Sequence, residues 1–110
     1  MSSSKFLIFR NASAGDYFYH LVSAEGEVVL QGQGYTKPGC LKAIAAVKQN
    51  AGFDSRYDRW DGIISYSFKL KSGNWVIIGR SEDYTSAAAR ERAIIAVKRD
   101  APKALIIEMA

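Results

Sequence analysis

At 110 residues, 48% hydrophobic and 24% charged, the chain has the balance of one globular domain and too much apolar content for a disordered one. Its net charge of +4, from 15 basic and 11 acidic side chains, is too mild and too mixed for a polybasic nucleic-acid tail. The single cysteine, Cys40, excludes an intramolecular disulfide and a cysteine-built zinc site, and no stretch approaches the ~20 apolar residues of a bilayer span.

Residues 5–10 read as a first strand, closed by the turn-rich Asn11-Ala12-Ser13-Ala14-Gly15-Asp16. Its apolar run, Phe6 to Phe9, is too short for a secretory signal, so a cytoplasmic location is expected. Residues 17–23 form a second strand, rich in aromatic and β-branched side chains, and Ala24-Glu25-Gly26 turns it into a third over 28–33. Thr36 or Lys37 caps a helix with Pro38 in its first turn. Cys40, Ile44, Val47 and Ala51 recur on one helical face, and Gly52 stops it. Strands are then expected over 56–60, 64–71 and 75–80, with Ser72-Gly73-Asn74 turning between the last two. Thr85 or Ser86 caps a second helix to about Asp100, with Ala93, Ile94, Val97 and Ala101 inward. Pro102 ends it before a closing strand over 104–109.

The order is repeated because the sequence is. Tyr17-Phe18-Tyr19-His20-Leu21 returns as Tyr66-Ser67-Phe68-Lys69-Leu70, and Tyr35-Thr36 as Tyr84-Thr85. Ala43-Ile44-Ala45-Ala46-Val47-Lys48 returns as Ala93-Ile94-Ile95-Ala96-Val97-Lys98. The strand matches lie 49 residues apart and the helix matches 50, so one extra residue sits ahead of the second helix. Repeats of about 50 residues are marginal alone, which predicts a single domain over 1–110 with copies over about 5–52 and 55–109. The pattern implies an α+β fold of antiparallel hairpins with both helices on one face. Strand alternation then sets Tyr17, Tyr19 and Leu21, with Tyr66, Phe68 and Leu70, toward the helices. Phe18, His20 and Val22, with Ser67, Lys69 and Lys71, fall on an opposite face open to water.

The repeat length, the aromatic second strand, the Tyr-Thr before each helix and the Val-Lys-x-x-Ala at each helix end resemble the YegP family of small bacterial proteins, over nearly the whole chain. The resemblance implies β-β-β-α(-β) repeats forming one mainly antiparallel sheet, with strands exchanged between the copies as in a covalent pseudo-dimer. It implies no activity and therefore no catalytic residues.

No catalytic set emerges from the residues either. Gly34 and Gly39 stand at P-loop spacing, but Cys40 and Leu41 occupy the positions where a lysine and a hydroxyl residue would reach phosphate and magnesium. Cys40 lies near a helix start, where a thiol can be activated, yet it shares the buried stripe of Ile44 and Val47. His20 is the only histidine and has no metal-ligand spacing around it, so neither a metal nor a cofactor is expected. Arg56-Tyr57-Asp58-Arg59-Trp60-Asp61 sets Arg56, Asp58 and Trp60 on one face. It reads as a charged strand between the repeats, with stacking by Trp60 the functional reading. Arg92, Lys98, Arg99 and Lys103 read as a solvated helix face interrupted by Glu91 and Asp100. Tyr35 and Tyr84 are expected to pack under their helix starts, with two equivalent ligand pockets as the other reading.

The expectation is a non-enzymatic binding or interaction module that uses Phe18, His20, Lys69 and Lys71 on the open sheet face. The sequence does not name the partner: a protein, or self-association through Phe18, Val22 or the closing strand, is one reading, and a membrane is not expected. Single-stranded nucleic acid is the alternative, since aromatic platforms with basic side chains suit stacking and phosphate contact, and an enzyme of unrecognised type using Cys40 or His20 is the third reading.

Overall fold

The structure, a computed structural model, describes residues 3–13 and 15–109. Ala14, in the first expected loop, lies outside them with residues 1, 2 and 110. Seven strands and two helices follow in the order β1 (Lys5–Arg10), β2 (Tyr17–Val22), β3 (Val28–Gln33), α1 (Lys37–Asn50), β4 (Tyr57–Asp61), β5 (Tyr66–Lys71), β6 (Ile77–Arg80), α2 (Ala87–Asp100) and β7 (Leu105–Glu108).

All seven strands lie in one sheet, ordered β4-β5-β6-β3-β2-β1-β7. The two three-stranded copies meet back to back at β6 and β3, so the repeat becomes a pseudo-two-fold across the middle of the sheet. Every pairing is antiparallel except the last, where β7 runs parallel to β1. Strand exchange takes that form: the tail of the second copy completes the edge of the first. The helices bind the halves together, α1 packing over β2 and β6 and α2 over β3 and β5.

Local chemistry explains the helix ends. Thr36 Oγ1 accepts the Gly39 N–H at 3.0 Å, with Pro38 in the first turn, and Ser86 Oγ accepts the Ala89 N–H at 3.1 Å. Both predicted stripes are buried, Cys40, Ile44, Val47 and Ala51 on one side and Ala93, Ile94, Val97 and Ala101 on the other. They close on Phe6, Ile8, Tyr19, Leu21, Phe68 and Leu70 from the sheet.

Strand starts differ from expectation where turns intrude. β5 begins at Tyr66 because Gly62 N–H reaches Ser65 O at 2.8 Å, putting Ile63 and Ile64 at a hairpin tip. β6 begins at Ile77 because Trp75 sits in the left-handed region at φ 65°, inside a turn closed by its N–H to Ser72 O.

Asp100 is fully buried and anchors the β2–β3 hairpin. Its carboxylate accepts from the Ala24 N–H at 2.9 Å and from Arg99 at 2.7 Å. The Arg99 hydrogen bond holds its pKa below the usual carboxylate range, and hydrogen bonds from Arg59 and Lys98 bring Asp54 to about 2. Folded-state pKa values depressed in this way contribute stability above the unfolded carboxyl range, lost as pH falls through the folded values. Urea midpoints are therefore expected to fall from about pH 4 downward, near the ordinary carboxyl pKa. Asp100→Asn should be less stable at neutral pH and should lose less on acidification.

Candidate binding face at the junction of the repeats

The helix-free face is organised by register. Asp58 pairs with Lys69, Lys69 with Arg80, Arg80 with Gln31, Gln31 with His20, His20 with Leu7, and Leu7 with Ile107. Directly opposed residues share a face, so this is one row crossing all seven strands, about 29 Å at the usual strand spacing. The second copy contributes Asp58, Lys69 and Arg80 and, through β7, Ile107; the first contributes Gln31, His20 and Leu7, and the copies meet at Arg80 and Gln31.

Lys69 and Arg80 stand directly opposite each other, an arrangement that costs stability unless an anion answers it. Among the described residues neither makes an ion pair. Asp58, the neighbouring acid, is taken by Lys71 at 3.1 Å, and the Lys71 ammonium also lies 5.9 Å from the Trp75 ring centroid. Of the two lysines predicted for this face, Lys69 is therefore the free one, and Lys71 is engaged.

Beyond Gln31 the face is aromatic, with His20 in the row and Phe18 opposite Phe9 in the next row on the same face. The Phe9 ring lies 5.4 Å from Phe18 and 4.7 Å, edge to face, from His20. All three are half-buried in strand positions that leave their outer surfaces on the open face. Desolvation lowers the His20 pKa, with the Glu82 charge opposing it, so His20 is neutral near pH 7 and offers a ring and a hydrogen bond rather than a charge. Val22, expected to be exposed here, is only 8% exposed; it stays opposite Lys5 on this face, and the register of β2 against β3 shifts between Leu21 and Val22.

Between the basic and aromatic halves the sheet is locked by one side chain. β3 and β6 register at the single pair Gln31–Arg80. Beyond it, Tyr19 reaches from β2 across Gly32 and Gly79 and donates its hydroxyl to the Ile78 carbonyl at 2.5 Å. A Cβ on Gly79 would stand 2.7 Å from the Tyr19 hydroxyl, and one on Gly32 would overlap the ring, so both positions require glycine. Burial raises the phenol pKa and keeps the donor proton in place. Beside this lock lies a cleft of about 670 Å³, bounded by Phe9, Phe18, His20, Gln31 and Arg80 from the open face, with Tyr35 and Ala43 at its other wall.

Tyr35 corrects an expectation. It is 69% exposed and held at φ 60°, at the cleft rather than under the helix, while Tyr84 packs half-buried against the core and bridges to Tyr66. The two tyrosines are not equivalent because Gly34 and Gly39 draw the first turn tight. A Cβ on either would overlap backbone of the other side, and the Thr36 N–H closes on Gly34 O at 2.6 Å. Those glycines serve that turn. Cys40 behind it is fully buried, and desolvation raises its thiol pKa, which removes the conditions for a reactive thiolate.

Of the remaining candidates Trp60 is exposed, Arg56 donates to Asn50 Oδ1 at 2.9 Å, and Arg59, Lys98 and Arg99 are charge-paired. Arg59 holds Glu91 at 2.8 Å and Asp54 at 2.9 Å, Lys98 holds Asp54 at 2.8 Å, and Arg99 holds Asp100 and Glu25. Sequence reasoning missed Arg90, which is buried, donates to the Trp60 carbonyl at 3.1 Å and pairs with Asp61, fixing the base of the β4–β5 hairpin. It also missed Phe9, Gln31 and Arg80, which only the strand order brings together on this face. No helix among the described residues is long and apolar enough to cross a membrane.

The chain is similar in sequence and fold to proteins whose names state no activity. The sequence profile described as a domain of unknown function, DUF1508, matches twice, at residues 12–58 and 65–108. A UPF0339 protein from the ptx operon 5′ region of Stutzerimonas stutzeri is 39% identical over 101 residues, 90% of this chain and 91% of that one. The UPF0339 protein YegP of Escherichia coli K12 is 34% identical over 89 residues, 79% and 81% of the two chains. The solution NMR structure of yegP from E. coli, titled as a protein of unknown function, superposes with a TM-score of 0.88 at 26% identity, over 98% of this chain and 94% of that one. That of a UPF0339 protein from Shewanella oneidensis gives 0.89 at 28% identity, over 96% and 91%.

Proposed function

Because the chain belongs to the DUF1508 family, for which no activity is described, its role has to be sought on its own surface, and we propose that it is a non-enzymatic binding module whose ligand lies along the helix-free face at the repeat junction. The ligand class is single-stranded nucleic acid. The observation that carries this reading is the adjacency, across the junction cleft, of an unneutralised Lys69–Arg80 pair to the His20 ring of the same row and the Phe9 and Phe18 rings of the next row on that face. Phosphates answer the paired cations, bases have π-faces for the aromatic half, and the Gln31 amide between them supplies a donor and an acceptor. The cationic face is local, which suits a protein whose net charge is only +4. A free, buried cysteine accords with a reducing, cytoplasmic setting.

Fluorescence anisotropy of a labelled single-stranded oligonucleotide tests this reading. Phe18→Ala is expected to weaken binding by about 1–3 kcal/mol, the usual value of one base–aromatic stack. Equal affinity of wild type and variant, or no saturable binding by wild type, would sink it. A second reading, docking of a protein partner, is favoured by Ile63 and Ile64, 98% and 85% exposed at the tip of the Arg90-braced hairpin.

A further inference from the structure

The two edges of the sheet are unlike. β4, at one edge, carries Asp58, Arg59 and Asp61, the charged residues that keep edge strands from pairing with other chains. β7, at the other, reads Leu105-Ile106-Ile107-Glu108, with Leu105 63%, Ile106 44%, Ile107 40% and the following Met109 52% exposed. Its backbone is half-used. Leu105 N–H bonds Ser4 O at 3.3 Å and Met109 N–H bonds Ile8 O at 2.7 Å. In a parallel ladder alternate residues face the same neighbour, so the N–H and C=O groups of Ile106 and Glu108 point away from β1. Among the described residues nothing meets them.

We propose that β7 pairs antiparallel with β7 of a second copy, joining two sheets edge to edge about a two-fold axis. The geometry limits the register. A two-fold between antiparallel strands lies normal to the sheet and pairs some residue with itself, because directly opposed residues share a face. Centring on Ile106 would call on the Ala104 carbonyl, which already accepts Lys48 Nζ at 2.8 Å. Centring on Ile107 uses only free groups: Ile106 exchanges both backbone hydrogen bonds with the partner's Glu108, and Glu108 with the partner's Ile106. On the open face this register sets Ile107 against the partner's Ile107 and Leu105 against the partner's Met109, so every pair there is apolar. The open faces of both copies become one surface, and the row from Asp58 to Ile107 continues through the axis into its mate. A second copy is the fitting occupant because the strand is complementary to itself in both hydrogen bonds and side chains.

Sedimentation equilibrium from about 1 µM to about 1 mM, the range of weak small interfaces, tests the pairing. Wild type should move from the 12.1 kDa chain mass to about 24 kDa as concentration rises. Ile106→Pro removes an outward N–H and leaves the inward β1 ladder intact, so it should stay at the single-chain mass throughout. Ile107→Lys, which opposes two ammonium groups across the axis, should do the same and covers the case in which the proline variant does not fold. A wild type that remains a monomer at the highest concentration, a mass above two chains, or a dimer that survives in a folded variant would each overturn the proposal.

Discussion

Truncating Tyr19 to alanine is expected to destabilise the protein by about 3–5 kcal/mol, the usual cost of emptying an aromatic site in a core. At about 4 °C per kcal/mol, a thermal scan should show a Tm lower by roughly 12–20 °C. Tyr19 is wholly buried, sits edge to face with Phe6 at 5.8 Å, and carries the one side-chain hydrogen bond that ties β2 to β6 across the repeat junction. Tyr19→Phe separates packing from that bond. It leaves the Ile78 carbonyl without its donor and should cost about 1–3 kcal/mol. Gly32→Ala should fall between the two, since its methyl group displaces the ring rather than removing it. If Tyr19→Phe is as stable as wild type, the hydroxyl is not what locks the halves together.

Neutralising both free cations, Lys69→Gln with Arg80→Gln, should abolish most of the oligonucleotide affinity while leaving stability unchanged or improved. Two like charges directly opposed are unfavourable in the free protein, and both side chains are exposed, so their loss costs the fold nothing. On the ligand side two phosphate contacts disappear. For single strands the log affinity against log salt slope should become shallower by about 1.4, and affinity at low salt should drop by at least about tenfold. Lys71→Glu is the internal comparison. Lys71 is already paired with Asp58, so its reversal should disturb β4 and β5 more than it disturbs binding. A double neutralisation that leaves affinity and salt slope untouched would place the ligand elsewhere.

Much of the fold was legible because burial leaves a period in the chain. The stripes Cys40-Ile44-Val47-Ala51 and Ala93-Ile94-Val97-Ala101 and the alternation around Tyr19 and Phe68 identify the core-facing residues, and their recurrence identifies the repeat. What could not be read is whatever depends on which strands are neighbours. Arg80 lies opposite Lys69, and Gln31 opposite Arg80, only because β6 meets β3 at the centre of the sheet. Phe9 joins His20 only because β1 lies outside β2. The Tyr19 lock spans 59 residues to Ile78, and its trace in the sequence was a break in the repeat: tyrosine in one copy, Phe68 in the other. The non-equivalence of Tyr35 and Tyr84 has the same origin, since the glycines that tighten the first turn have no counterpart in the second. Turn chemistry accounts for the shifted strand starts at Tyr66 and Ile77, where Ile64 and Trp75 look like strand residues and sit in turns.

The most direct test of the junction face as a binding surface is an amide chemical-shift titration of the isotope-labelled protein with a mixed-sequence single-stranded oligonucleotide, at low and at moderate salt. Saturable shifts are predicted at Phe9, Phe18, His20, Gln31, Lys69 and Arg80, contiguous across the centre of the sheet and persisting at moderate salt. Shifts confined to the exposed cations of α2, or scattered over the surface and erased by salt, would contradict the assignment of the ligand to this face.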